Sequence, residues 1–80
     1  MISYLSTDTE KIVRCWSTIN DVDAEELILM HMEEKFSIQE VVIVKAVDHG
    51  DFLTVLLKCD SWDFPREFSI LDDGSLAWDF

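Results

Sequence analysis

The hydrophobic period of this chain changes once, after Phe36, and that change limits the fold more than any other feature. Up to Phe36 the apolar residues recur at the spacing of a helix face. Beyond it they alternate, as in a strand with one side turned inward. Eighty residues have room for a single core, so the helical and the extended parts must share it. The pattern therefore predicts an α+β fold: two N-terminal helices packed on a four-stranded antiparallel meander (ααββββ), one compact domain over residues 1–80. Residues 2–5 either add a short extra edge strand or lead into the first helix.

Thr7-Asp8-Thr9-Glu10 has the spacing of a capping box and opens a helix expected to end near Asn20. On a helical wheel Cys15, Ile19, Ile12, Trp16 and Val13 form one continuous arc, which is expected to face the core. Asp23, with Glu26 three residues on, caps a second helix over residues 24–36. Its inward arc is Ala24, Ile28, Met32, Phe36 and Leu29. On the opposite arc Asp23, Glu26, Glu33 and Glu34 surround Met30, with Leu27 at the border. If a neighbouring element covers Met30, these acids are only a solvated helix face. If Met30 is exposed, they frame an adaptable apolar contact.

Residues 40–48 are rich in β-branched side chains and run into Asp48-His49-Gly50-Asp51, a turn cluster that sends the chain back as residues 52–59. Both faces of this returning strand are apolar, which suits a central position in the sheet. Residues 66–71 form the next strand, and the turn Asp72-Asp73-Gly74-Ser75 leads to alternating Leu76, Trp78 and Phe80. The tripeptide Trp-Asp-Phe occurs twice, at residues 62–64 and 78–80. The second copy reads as a strand with its aromatics inward. The first precedes Pro65, which marks a bulge, strand edge or loop, and an exposed Trp62 and Phe64 there would be a contact hot spot.

Charge then narrows the functions. The formal charge is -11, yet 49% of the residues are hydrophobic, so the acids decorate a folded surface instead of preventing folding. They are unevenly spread: residues 1–20 are neutral overall, residues 21–40 carry -6, residues 41–60 carry -1 and residues 61–80 carry -4. Such a surface repels nucleic acid and anionic membrane and attracts basic proteins. No long uncharged apolar run is present and the first residues do not resemble a secretory leader, so the expected location is cytoplasmic.

Enzyme chemistry has little to stand on. Cys15 and Cys59 read as reduced, buried, inert thiols. His31 with Glu34, and His49 between Asp48 and Asp51, fall short of a metal-ligand set, and Asp72-Asp73-Gly74 lacks the rest of a calcium loop. Gly50 and Gly74 are isolated at turns and cradle no phosphate. Neither a cofactor nor a metal is expected.

The function expected from the sequence is a non-enzymatic acidic inhibitor or decoy that occupies the basic, nucleic-acid-binding surface of a partner protein. Phage-borne blockers of bacterial defence systems, such as anti-CRISPR and anti-restriction proteins, and immunity proteins that neutralise a basic toxin or nuclease work in this way. The residues expected to bind the partner are Asp21, Asp23, Glu26, Met30, Glu33, Glu34, Trp62, Asp63 and Phe64. The alternative is a structural or assembly adaptor, or a homodimerising module, joined through the edge at residues 40–48 or 66–71 or through a patch at Trp62 and Phe64, its acidity serving solubility.

Overall fold

In the computed structural model, which describes residues 1–78, the alternation of the strands is what assembles the core. Five strands, β1 (Ile2–Tyr4), β2 (Val41–Asp48), β3 (Phe52–Lys58), β4 (Arg66–Leu71) and β5 (Leu76–Trp78), form one sheet in the order β1-β2-β3-β4-β5. Strands β2 to β5 are the expected antiparallel meander. The short N-terminal strand is also present, but it runs parallel to β2, with Ile2 opposite Val41 and Tyr4 opposite Ile43, so the sheet is mixed. A parallel neighbour needs a long crossover. Helices α1 (Thr7–Asn20) and α2 (Ala24–Phe36) supply it. Asp79 and Phe80, and with them the end of the second Trp-Asp-Phe copy, lie outside the described residues.

The inward residues of each strand follow from its period of two. Val41, Ile43 and Ala46 of β2, Leu53, Val55 and Leu57 of β3, and Phe68 and Ile70 of β4 are buried in one cluster. Val13 and Trp16 of α1 and Ala24, Ile28 and Met32 of α2 close over them. In β2 the register slips between Ile43 and Lys45, so the pair Val44 and Lys45 stands against the single residue Leu56. This bulge is why Ala46, and not Lys45, continues the buried row. At the far end the indole Nε1 of Trp16 donates to the carbonyl of Gly50 at 3.0 Å, tying α1 to the β2–β3 turn. Gly50 holds φ +89 in that turn, a conformation other residues rarely adopt.

Helix α2 matches the sequence expectation closely. Asp23 caps it by accepting from the Glu26 amide at 3.2 Å, and it ends where Ser37 turns left-handed at φ 56. Helix α1 differs in two respects. Its cap is Ser6, whose Oγ accepts from the Thr9 amide, one residue before the expected position, and its left-handed residue is Asp21. Its inward stripe is Thr9, Val13 and Trp16, whereas Cys15 is exposed and Ile19 is 73% exposed. Relative to the expected arc the helix is rotated by roughly 60° about its axis. The cause is the size of Trp16. A buried stripe is only about 100° wide, and centring it on the indole and Val13 leaves no room for the apolar residues at the other margin. Thr9 tolerates the buried place because its hydroxyl pairs with Ser6 Oγ at 2.9 Å.

Candidate functional site

The residues singled out in the sequence separate into two places. The first lies where α2 begins. The chain turns sharply at Asp21, whose left-handed backbone (φ 54) brings its amide back to Ser17 O. Ser17 stitches the corner, accepting from the Ala24 amide at 3.3 Å while donating to Val13 O at 2.8 Å. The corner places Asp21 and Asp23 one helical turn from Glu26 and beside the β4–β5 turn. Together Asp21, Val22, Asp23, Glu26, Leu27, Met30, Asp73 and Gly74 line a shallow open depression of about 400 Å³.

Its floor is apolar and its rim is acidic. Met30 is 50% exposed, while Val22 and Leu27 are half-buried against the core. Four carboxylates, those of Asp21, Asp23, Glu26 and Asp73, surround this floor. The Asp73 carboxyl is held below the usual carboxylate range, first by the Ser75 hydroxyl, which donates to it at 2.6 Å, and then by the Ser75 amide. Asp73 therefore keeps its charge to lower pH than an ordinary carboxylate does. Sequence reading assigned it to the turn alone, and no local signal reveals that the turn folds against α2.

Glu33 and Glu34 are exposed on the later turns of α2 and extend the acidic strip beyond the depression instead of lining it. The two remaining acids of the helical layer that face the first strand are already engaged. Tyr4 Oη donates to Glu25 at 2.6 Å, and Arg14 pairs with Glu10 at 3.1 Å and approaches Glu25 at 3.9 Å. Burial, then this bond to a carboxylate, raises the Tyr4 phenol pKa well above its ordinary value. Among the described residues no cation pairs with Asp21, Asp23, Glu26, Glu33 or Glu34. Their field is directed outward.

The second place is the β3–β4 loop. Trp62 is half-buried, not free: its ring meets Phe36 edge-on at 5.5 Å, leans on Phe68 and lies under the Arg66 guanidinium at 4.6 Å. It closes the open end of the core beyond α2. Phe64 is 78% exposed, and Asp63 is exposed beside it. With Val42, Lys58, Cys59 and Pro65 they line a different depression, of about 340 Å³, that shares no residue with the first. The structure thus brings Met30 together with Asp21, Asp23 and Glu26, and keeps Trp62, Asp63 and Phe64 apart from them.

Cys15 and Cys59 are free thiols, and the expectation that both are buried holds for neither: Cys15 is exposed and Cys59 half-buried. Among the described residues no three His, Cys, Asp or Glu side chains gather as metal ligands. No helix among them is long and apolar enough to cross a membrane. Comparison with protein-family models, with curated proteins and with solved structures finds no match for this chain in any of the three.

Proposed function

We propose that this protein is a non-enzymatic docking protein whose acidic helical face occupies the basic, nucleic-acid-binding surface of a partner, as a decoy or inhibitor does. The observation that carries this reading is Met30, half exposed on an apolar floor with four carboxylates around it. A solvated helix face needs no exposed Met, and a solubility surface needs no concavity. A basic side chain with an apolar stem fits both parts, its stem on Met30 and Leu27 and its charge among the acids. Glu33 and Glu34 prolong the row of negative charge, which suits a surface built to follow a phosphate backbone.

The reading is tested by capture from the cell of origin with two baits, the natural chain and a Glu26→Lys, Glu33→Lys, Glu34→Lys variant. Proteins held by the first and lost by the second are then challenged with duplex DNA and RNA. The expected result is a basic partner, released by salt and displaced by nucleic acid, with Met30→Ser weakening its retention. Retention indifferent to salt and to the three reversals would end this reading.

A further inference from the structure

Both helices lie on one side of the sheet, and the side chains that point the other way have no layer over them among the described residues. We propose that this open face is the interface of a homodimer, two copies packing sheet on sheet about a two-fold axis that runs along β3.

The face is apolar where a surface strand is ordinarily polar. Phe52 of β3 stands opposite Leu71 of β4, Val47 of β2 opposite Thr54, and Leu56 sits in the middle with Lys45 on one side and Glu67 on the other. None of the apolar residues among them packs against the core cluster. Val47 and Leu71 are 39% and 37% exposed. The exposed Phe64 ring stands at the end of the face, in the depression it shares with Val42 and Lys58.

Charge selects a second copy as the occupant. Two chains of -11 repel one another on approach. Among the described residues, the strands of this face carry Lys45 and Lys58 against Glu67, with Asp60 and Asp63 beside Lys58 and Phe64 at its end. Residues 7–36, by contrast, hold eight acids against three bases. Packing the open faces together turns both acidic helical layers outward. Two sheets about 10 Å apart, each backed by a helical layer about 10 Å away, hold those layers roughly 30 Å from each other, several screening lengths at physiological salt.

The register selects the axis. A two-fold along β3 exchanges the positions of β2 and β4, so Lys45 faces the partner's Glu67, Glu67 faces the partner's Lys45, and Leu56 meets its own copy at the centre. Strands of three to eight residues, spaced about 4.8 Å apart, offer roughly 430 Å² per copy, or about 860 Å² in all. That is smaller than a standard stable interface, so the dimer is weak and reversible, with a dissociation constant on the order of micromolar. It leaves the Met30 depression outward on both copies, and it stands or falls separately from the docking reading.

Sedimentation equilibrium over a micromolar concentration series tests it. The expected result is a reversible shift from 9.3 kDa to twice that mass. Added salt tightens the dimer by screening the net repulsion, the reverse of its effect on a basic partner. Leu56→Glu, which places two like charges at the axis, weakens association by at least about tenfold while circular dichroism shows an intact fold. Thr54→Arg, on the same face, gives an independent reading should Leu56→Glu fail to fold. Lys45→Glu and Glu67→Lys each weaken the dimer several-fold, and together they restore it. A single 9.3 kDa species throughout the series overturns the proposal. So does a dimer indifferent to both Leu56→Glu and Thr54→Arg, or one that the double charge exchange does not restore.

Discussion

The two faces of this sheet are made by the same strands, and a step of one residue along β3 passes from one face to the other. Leu53, Val55 and Leu57 are fully buried under the helices, while Phe52, Thr54 and Leu56 between them are only half-covered, the Phe52 ring by His49 stacked on it at 4.3 Å. Both sets are rich in apolar atoms, so hydrophobicity alone does not say which face forms the core. The difference lies in what each face is offered. Two amphipathic helices with Trp16 and Ile28 on their inward stripes close one side. The other side has no layer over its apolar surface among the described residues. The helical layer carries eight acids and three of the six bases, whereas the strands of the open face carry Lys45 and Lys58 with Glu67.

Substitutions on the two faces should break this comparison most visibly in stability. Trp16→Ala removes a fully buried indole and its hydrogen bond to Gly50 O, and is expected to cost about 3–5 kcal/mol in urea unfolding, close to the whole stability of so small a domain. Leu56→Ala on the open face should change the same measurement by only about 1 kcal/mol or less in the monomer. Equal losses at the two sites would show that the open face is covered within the chain.

A smaller effect is expected at the rim of the Met30 depression, where one residue serves both fold and site. Asp23→Ala removes the α2 cap and should cost about 1 kcal/mol, whereas Glu26→Gln, which leaves the cap intact, should lie within about 0.5 kcal/mol in thermal unfolding. Both variants lower the negative charge of the rim. If partner binding is electrostatic, they weaken it alike despite their different stabilities.

The smallest expected effect is in the pH dependence. His31, on α2 beside Phe68, has its pKa lowered, first by burial and then by Lys35, with Glu34 opposing. The unfolded chain therefore takes up this proton before the folded one does. Stability is greatest above the ordinary histidine range and declines as pH falls through it toward the lowered folded value. His31→Leu should flatten the melting temperature between pH 7.5 and about 5.5 relative to the natural chain. An unchanged slope would assign that pH dependence to the carboxylates instead.

How much of this was legible in the sequence depended on whether the deciding contact was local. The limits of α2 were readable because Asp23, Glu26 and Phe36 lie within one element. The β2–β3 hairpin and the central place of β3 were readable because turn residues and period are local too. The orientation of α1 was not. Cys15 and Ile19 are as apolar as Val13 on a wheel, and only the fit of Trp16 between β2 and the Gly50 turn decides between the two arcs. Nor did any neighbouring residue announce that β1 would pair parallel to β2, or that the Asp73 turn would complete the rim around Met30. What was read of the site was its helical half: Asp21, Asp23, Glu26 and Met30 meet, whereas the burial of Trp62 stayed open because Phe36, against which its ring packs, lies 26 residues away.

The parallel pairing of β1 with β2 also sets an order in time. Its three residue pairs are separated by 39 positions, whereas the hairpins from β2 to β5 close over a few. Closing so long a loop loses chain entropy that three short-range rungs recover only after both helices are docked. The first strand is therefore the last rung laid during folding and the first to open. Amide exchange at Leu5 and Val41, whose bonds to Ile43 O and Met1 O secure it, should run ahead of exchange in β3.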